Sequence, residues 1–216
     1  MAGTITLYGY DGSGSAAVEA ALVLAGVPHR IVNAASWDEK SALAELTQVN
    51  PLAQIPTLVW PDGTVMSESA AILMELGLRH PASRLLPTEP AARARCLRGL
   101  VYIAANCYAM IGVIDYPERV VDEPGESLRK RVRQRSRARL HELWERFADQ
   151  FGEGSPFLGG AAPDALDLLA SVVSRWSGTR KHLAAARPGF SALLARIDGH
   201  PALAPVFGRH WPPASA

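Results

Sequence analysis

At 216 residues the chain is long enough for two modest domains or one large one. Its 22 basic and 21 acidic residues leave a formal net charge of +1, so no global electrostatic reason exists to expect nucleic acid or an anionic membrane as partner. No secretory signal precedes the first strand-like run and no apolar run approaches a membrane span, which leads to the expectation of a soluble, cytoplasmic protein.

Residues 4–10, TITLYGY, alternate and are rich in β-formers, which predicts a first strand. A turn at 11–14 leads into a helix whose apolar positions Val18, Ala21, Leu22 and Ala25 keep the i, i+3, i+4, i+7 spacing, and Gly26 closes it before Pro28. A short strand over 30–33 and a helix over 41–48 follow. In the next stretch, NPLAQIPTLVWPDGTVMSESAAIL, two apolar runs flank Pro61, Asp62 and Gly63, a hairpin signal. Pro56 lacks a ladder donor and biases Ile55 toward an extended conformation, so it belongs at a strand's first residue. Ser67, Glu68 and Ser69 then open a helix carrying Ala71, Ile72, Met74 and Leu78.

This stretch also carries binding chemistry. If the Ile55–Pro56 bond is cis, the Ile55 amide and carbonyl would face an extended ligand edge-on. Ser69 and the amides of the following helix start would hold a carboxylate, and Glu68 beside them suits an ammonium. The sum is a receptor for something zwitterionic that contains a peptide bond.

At these residues the chain resembles the glutathione S-transferases. Their first domain is thioredoxin-like, with a cis-proline before the third strand and a Glu/Gln-Ser pair opening the next helix, and Pro56, Glu68 and Ser69 match those positions. The resemblance implies an α+β fold: a thioredoxin-like glutathione-binding domain over 1–79, a linker over 80–90 and an all-helical domain over 91–216. It implies glutathione as co-substrate, held by Gln54, Ile55, Pro56, Glu68 and Ser69, with Trp37 or Lys40 touching its glycine end. A small electrophile, a homodimer and no metal complete the expectation.

The family activates the glutathione thiol with a hydroxyl or cysteine near the first strand's end or the first helix's start. A thiol with pKa about 8.5 is mostly protonated at neutral pH, and lowering it by about two units takes roughly 2.7 kcal/mol. Tyr8, Tyr10, Ser13 and Ser15 are the hydroxyls within reach. Ser13 is the first choice, at a helix start where donor and dipole act together. Ser15 is one step away, Tyr8 falls where Tyr-type members keep their phenol, and the Cys-type cysteine would fall near Gly14, which cannot act. Ala16 and Ala17 stand where Ser-type members commonly carry Arg or Lys. The same turn, Gly12, Gly14 and Ala17, has dinucleotide-fingerprint spacing, but Asn33 stands where that motif needs an acid.

The segment 80–90 holds three prolines and reads as a linker. A long helix is predicted over 91–114; the resemblance implies a second substrate lying against it, where Tyr102, Asn106, Tyr108 and Met110 lie, with Asn106 and Tyr108 as the candidate pocket residues and Tyr108 matching where related bacterial enzymes place a polar side chain. Cys96 and Cys107 lie roughly 16 Å apart on that helix, too far for a disulfide. A further helix over 128–151 carries the stripe Leu128, Val132, Leu140, Leu143, Trp144, Phe147 and Phe151, and its basic run, RKRVRQRSRAR, reads as a solvated face. Asp164 is expected to cap a helix, with Asp167 reaching back, both structural. Residues 190–198 and 201–211 read as a short helix and a helical or irregular tail. The six histidines are scattered without metal-ligand spacing.

The reading is a glutathione transferase. Its alternatives are a non-catalytic binding or scaffold protein on the same fold, or a glutathione-dependent isomerase, dehalogenase or peroxidase.

Overall fold

The computed structural model describes residues 3–121, 125–152 and 156–212. The first half runs β1 (Ile5–Gly9), α1 (Ser15–Leu24), β2 (His29–Asn33), α2 (Leu43–Val49), β3 (Thr57–Val59), β4 (Val65–Met66) and α3 (Ser69–Arg79). The strands form one sheet in the order β2-β1-β3-β4, with β2 parallel to β1 and β3 and β4 successively antiparallel. This is a thioredoxin-like domain. The β3–β4 turn is made by Gly63 at φ +85°, and the Asp62 carboxylate accepts from the Thr64 amide at 2.8 Å.

Strand alternation decides which side chains of β1 can reach the helix α1 that follows. Ile5 and Leu7 join the large core with α1 and α3, whereas Tyr8 points to the other face and packs with Ala34 and Leu46. The consequence for Tyr8 is taken up below. Every residue from Ser15 to Leu22 is buried, so α1 is enclosed on all sides rather than amphipathic. Its alanines, Ala16, Ala17, Ala20 and Ala21, permit that close approach.

The second half is helical. α4 (Pro90–Tyr102), a π-helical turn (Ile103–Tyr108) and α5 (Ala109–Asp115) form one continuous helix of 26 residues. By length and composition alone that helix could cross a membrane, which corrects the expectation that no apolar run comes near such a length. Its Cys96, Leu100, Ile103, Cys107, Ile111 and Ile114 side chains are buried in the core. Burial pushes both thiols well above the ordinary range, Cys107 to about 12, so they stay protonated and inert.

α6 (Glu126–Phe151), α7 (Ala165–Val173), α8 (Thr179–Ala186), α9 (Pro188–Asp198) and α10 (Ala204–His210) complete the chain. Only the C-terminal half of the α6 stripe is fully buried, from Leu140 to Phe151, while Leu128 and Val132 are half-buried. α7 is buried at every position and starts with a reciprocal cap. Asp164 accepts from the Leu166 amide at 2.8 Å, and Asp167 accepts from Asp164 at 3.0 Å, Leu158 at 2.8 Å and Gly159 at 2.9 Å. The segment 80–90 is packed: Leu85 and Leu86 are buried, and the Leu85 carbonyl accepts from the Ala165 amide at 2.9 Å.

Candidate functional site

A cleft of about 570 Å³ opens between the two halves. The thioredoxin-like half contributes three backbone features to it: the turn before α1 at Gly12, Ser13 and Gly14, the chain entering β3 at Ala53 to Pro56, and the start of α3 at Ser67, Glu68 and Ser69. The helical half contributes Tyr108, Ile111, Gly112, Asp115, Tyr116, Arg119 and Trp176.

At the α1 start, Ser13 lines the cleft and Ser15 stands behind it. The Ser15 hydroxyl lies 3.2 Å from both the amide and the carbonyl of Tyr10 and 2.8 Å from the Ser13 hydroxyl, and the Ser15 amide donates to Ser13 Oγ at 3.2 Å. When Ser15 gives its proton to Ser13, Ser13 accepts two hydrogen bonds and its own proton is left to point into the cleft. Such a hydroxyl is a strengthened donor, because each accepted bond polarises the next. The first amides of α1 are already engaged, Ser15 with Ser13 Oγ at 3.2 Å, Ala16 with the Ser13 carbonyl at 3.2 Å and Ala17 with the Gly14 carbonyl at 3.3 Å, so the donor this turn offers the cleft is the Ser13 hydroxyl.

Three expected hydroxyls do not reach this place. Tyr8 donates to Glu45 Oε1 at 2.6 Å on the opposite face of the sheet, and burial together with that carboxylate pushes its phenol upward. Strand parity excludes it from the cleft. Ser15 does not line the cleft, so it can act only through Ser13. Tyr10 donates to Asp38 at 3.2 Å and meets the Trp37 ring edge-on at 5.6 Å.

The wall entering β3 is organised from behind by two buried polar residues the sequence reading passed over. Asn50 Nδ2 donates to the Gln54 carbonyl at 3.2 Å and to Thr57 Oγ1 at 2.9 Å, and Thr57 in turn donates to the Gln54 carbonyl at 2.7 Å. Gln54, Ile55 and Pro56 line the cleft, and the Ile55–Pro56 peptide is cis. Ala53 and Glu68, both on the wall, adopt positive φ of 51° and 64°, although neither is glycine. Strain of about 1–3 kcal/mol per residue persists only where surroundings impose it, and it gathers at ligand sites. Glu68 is exposed and caps nothing with its side chain, while Ser69 is buried at the first position of α3. Trp37 lines the cleft and is 56% exposed; Lys40 does not line it.

On the helical side, Tyr108 is carried into the cleft by the π-helical turn. Its hydroxyl stands so close to Gly14 that any β-carbon there would collide with it, and its ring stacks on Trp176 at 5.5 Å and 14°. Burial, with Glu68 and Asp115 nearby, pushes its phenol up to about 12, so it is a donor at neutral pH. Asn106 is not a cleft residue: it turns back along the helix and donates to the Tyr102 carbonyl at 3.1 Å. Tyr102 donates to the Leu143 carbonyl at 3.0 Å among Phe147 and Phe151, and Met110 packs on the core. The wider i→i+5 turn changes the phase of the helix between Tyr102 and Tyr108.

Asp115, Arg119 and Trp176 were not foreseen. Burial raises the Asp115 carboxyl, and the Arg119 guanidinium lies over the Tyr116 ring at 4.0 Å. Among the described residues no group of three His, Cys, Asp or Glu side chains is arranged to hold a metal.

Known proteins share part of this sequence and its fold. Residues 15–79 match the glutathione S-transferase N-terminal domain. The chain is 37% identical over 129 residues to the uncharacterized GST-like protein YncG of Escherichia coli (strain K12), a match covering 59% of this chain and 62% of that one. It is 29% identical over 198 residues to the probable glutathione S-transferase BZ2 of Zea mays, covering 84% and 80% of the two chains. Its fold is that of a glutathione transferase homolog from sulfitobacter with bound glutathione: TM-score 0.83, 21% identity, 95% and 97% covered. Residues 15–79 thus match the glutathione S-transferase N-terminal domain, and the chain as a whole shares the glutathione transferase fold.

Proposed function

We propose that the protein is a glutathione transferase. The observation that carries this reading is the convergence on one cleft of the α1 start with Ser13, the chain entering β3, the α3 start with Ser69, and Tyr108 from the helical half. Glutathione would lie along the Ile55 backbone with Gln54 and Pro56 beside it. Its γ-glutamyl carboxylate would sit on Ser69 and the α3 amides, and its ammonium near Glu68. The sulfur then falls at the α1 start, between the hydroxyls of Ser13 and Tyr108. Both donate to the thiolate and neither attacks.

The electrophile would rest on Trp176, Ile111 and the Tyr108 ring. The thiolate lone pair forms a C–S bond with it; in a substitution the pair of the broken carbon–leaving-group bond departs with that group, and in an addition the π pair of the attacked double bond moves to its far atom, which takes a proton from water. The same reading takes the protein to be a cytoplasmic homodimer, and a monomeric mass by light scattering would remove the dimer from it. The test of function is calorimetric titration with glutathione, coupled to turnover of a chlorinated nitroaromatic. Binding with turnover supports the transferase. Tight binding with no conjugate from any electrophile would favour the non-catalytic alternative, and absence of binding would overturn the site.

A further inference from the structure

Outside the cleft lining, one buried polar cluster touches the catalytic turn from the far end of the chain. Glu19, 2% exposed on α1, receives two partners from α10: Arg209, an ion pair, and His210 Nε2 at 2.7 Å from Glu19 Oε2. The other ring nitrogen, His210 Nδ1, accepts from the Gly12 amide at 3.2 Å. Gly12 is the residue before Ser13.

This geometry assigns the tautomer. A backbone amide can only donate, so Nδ1 must be unprotonated, and the proton therefore sits on Nε2, where it is donated to the Glu19 carboxylate. The α10 end packs on the turn in ordinary van der Waals contact. Gly12 has φ +73°, and a β-carbon there would lie 3.5 Å from the His210 carbonyl and 3.6 Å from Trp211 Nε1. Trp211 is itself held under the Arg175 guanidinium at 4.2 Å. The Ser13 amide closes the same turn on the Tyr10 carbonyl at 3.1 Å.

We propose that His210 is a positioning residue for the thiol-activating turn: anchored by Glu19, it holds the Gly12 amide and so fixes where Ser13 presents its hydroxyl. The helix α10 is then a latch on the glutathione site although none of its residues lines the cleft. The effect on the thiol rests on the transferase reading; the effect on the turn does not. The charged groups around the imidazole are Glu19 on α1, Asp11 in the turn, Arg175 after α7 and Arg209 on α10. A proton added to Nδ1 would face the Gly12 amide with a second donor and open the latch.

The test uses two isosteres on the full chain. Asparagine presents its carbonyl oxygen where Nδ1 stands, and glutamine presents its amide where Nε2 stands. His210→Asn therefore keeps the Gly12 acceptor and gives up Glu19, while His210→Gln does the reverse. Two quantities are read: Gly12 amide exchange by NMR without ligand, and the thiolate fraction of bound glutathione. In His210→Gln, Gly12 exchange should quicken about tenfold and the thiolate fraction at neutral pH should fall about fivefold, while His210→Asn restores both toward wild type. A merely structural histidine would lower the melting temperature in both variants without separating them. Equal Gly12 exchange in the two variants would overturn the latch. The amide readout decides it even where wild type leaves the glutathione thiol unshifted, a result that counts against the transferase reading alone.

Discussion

The two walls of the cleft are built by different means. The thioredoxin-like wall is largely backbone: the amides at the α3 start, a strand edge before β3, and a turn at Gly12 to Gly14 that presents the Ser13 hydroxyl. The helical wall is mostly side chains, Tyr108, Ile111, Asp115, Arg119 and Trp176, projected from elements far apart in sequence. A backbone wall is specified locally, by residues whose φ, cap or missing donor dictates the conformation. A side-chain wall depends on helix phase and long-range packing. Under the transferase reading the first would take glutathione and the second the electrophile.

The variant with the largest expected effect acts on neither wall. Asp167→Ala orphans the amides of Leu158, Gly159 and Asp164 at once, and leaving several buried donors unpaired costs about 3 kcal/mol or more. Thermal unfolding should register that loss while calorimetric glutathione affinity stays within about twofold. A large drop in affinity at unchanged stability would contradict the structural role. On the backbone wall, Ser13→Ala removes the donor at the α1 start, and kcat/KM should fall about thirtyfold, roughly 2 kcal/mol. Glutathione affinity should hold, because the proposed reading places the peptide on Ile55, Glu68 and Ser69.

Across the cleft, Tyr108→Phe deletes a hydroxyl but keeps the ring stacked on Trp176. The expected loss in kcat is about tenfold, roughly 1.4 kcal/mol, with glutathione affinity unchanged. Should this loss exceed that of Ser13→Ala, thiol activation would belong to the helical wall and the comparison would invert.

A smaller effect is set by protons. Burial holds the His210 imidazole below its ordinary value, as it does His141. On acidification the unfolded chain then takes up protons first, near pH about 6.5, and stability falls as pH drops through that value toward the lower folded-state one. Melting temperature measured between about pH 7.5 and 5.5 should decline, and His210→Asn should flatten the slope. A slope of opposite sign would refute the assignment. Smallest of all, Asn106→Ala removes only a bond along its own helix and should change activity less than about twofold.

The same contrast explains what could be read from sequence. Pro56, Gly63, Ser69 and the Asp164–Asp167 cap announce their conformations through local chemistry, and the elements around them were legible to within a few residues. Tyr8 was not, because a hydroxyl's place in a list says nothing about strand parity, which here turns it onto Glu45. Asn106 failed because its place on the long helix does not say that its amide turns back onto the Tyr102 carbonyl. α8 escaped notice for a related reason: only Thr179 and Leu183 are buried in it, too few to set a period. Trp176 and the Glu19–His210 pair act across separations that no motif spans, whereas Asn50 heads the very stretch that was read and bonds Gln54 and Thr57 within it.

The most direct test of the central claim is the ultraviolet absorbance of the glutathione thiolate bound to the protein, followed across pH for wild type and Ser13→Ala. The account predicts a bound thiol about two units below its ordinary value in wild type, moved back upward by the substitution. A bound thiol that titrates at its ordinary value in wild type would contradict it.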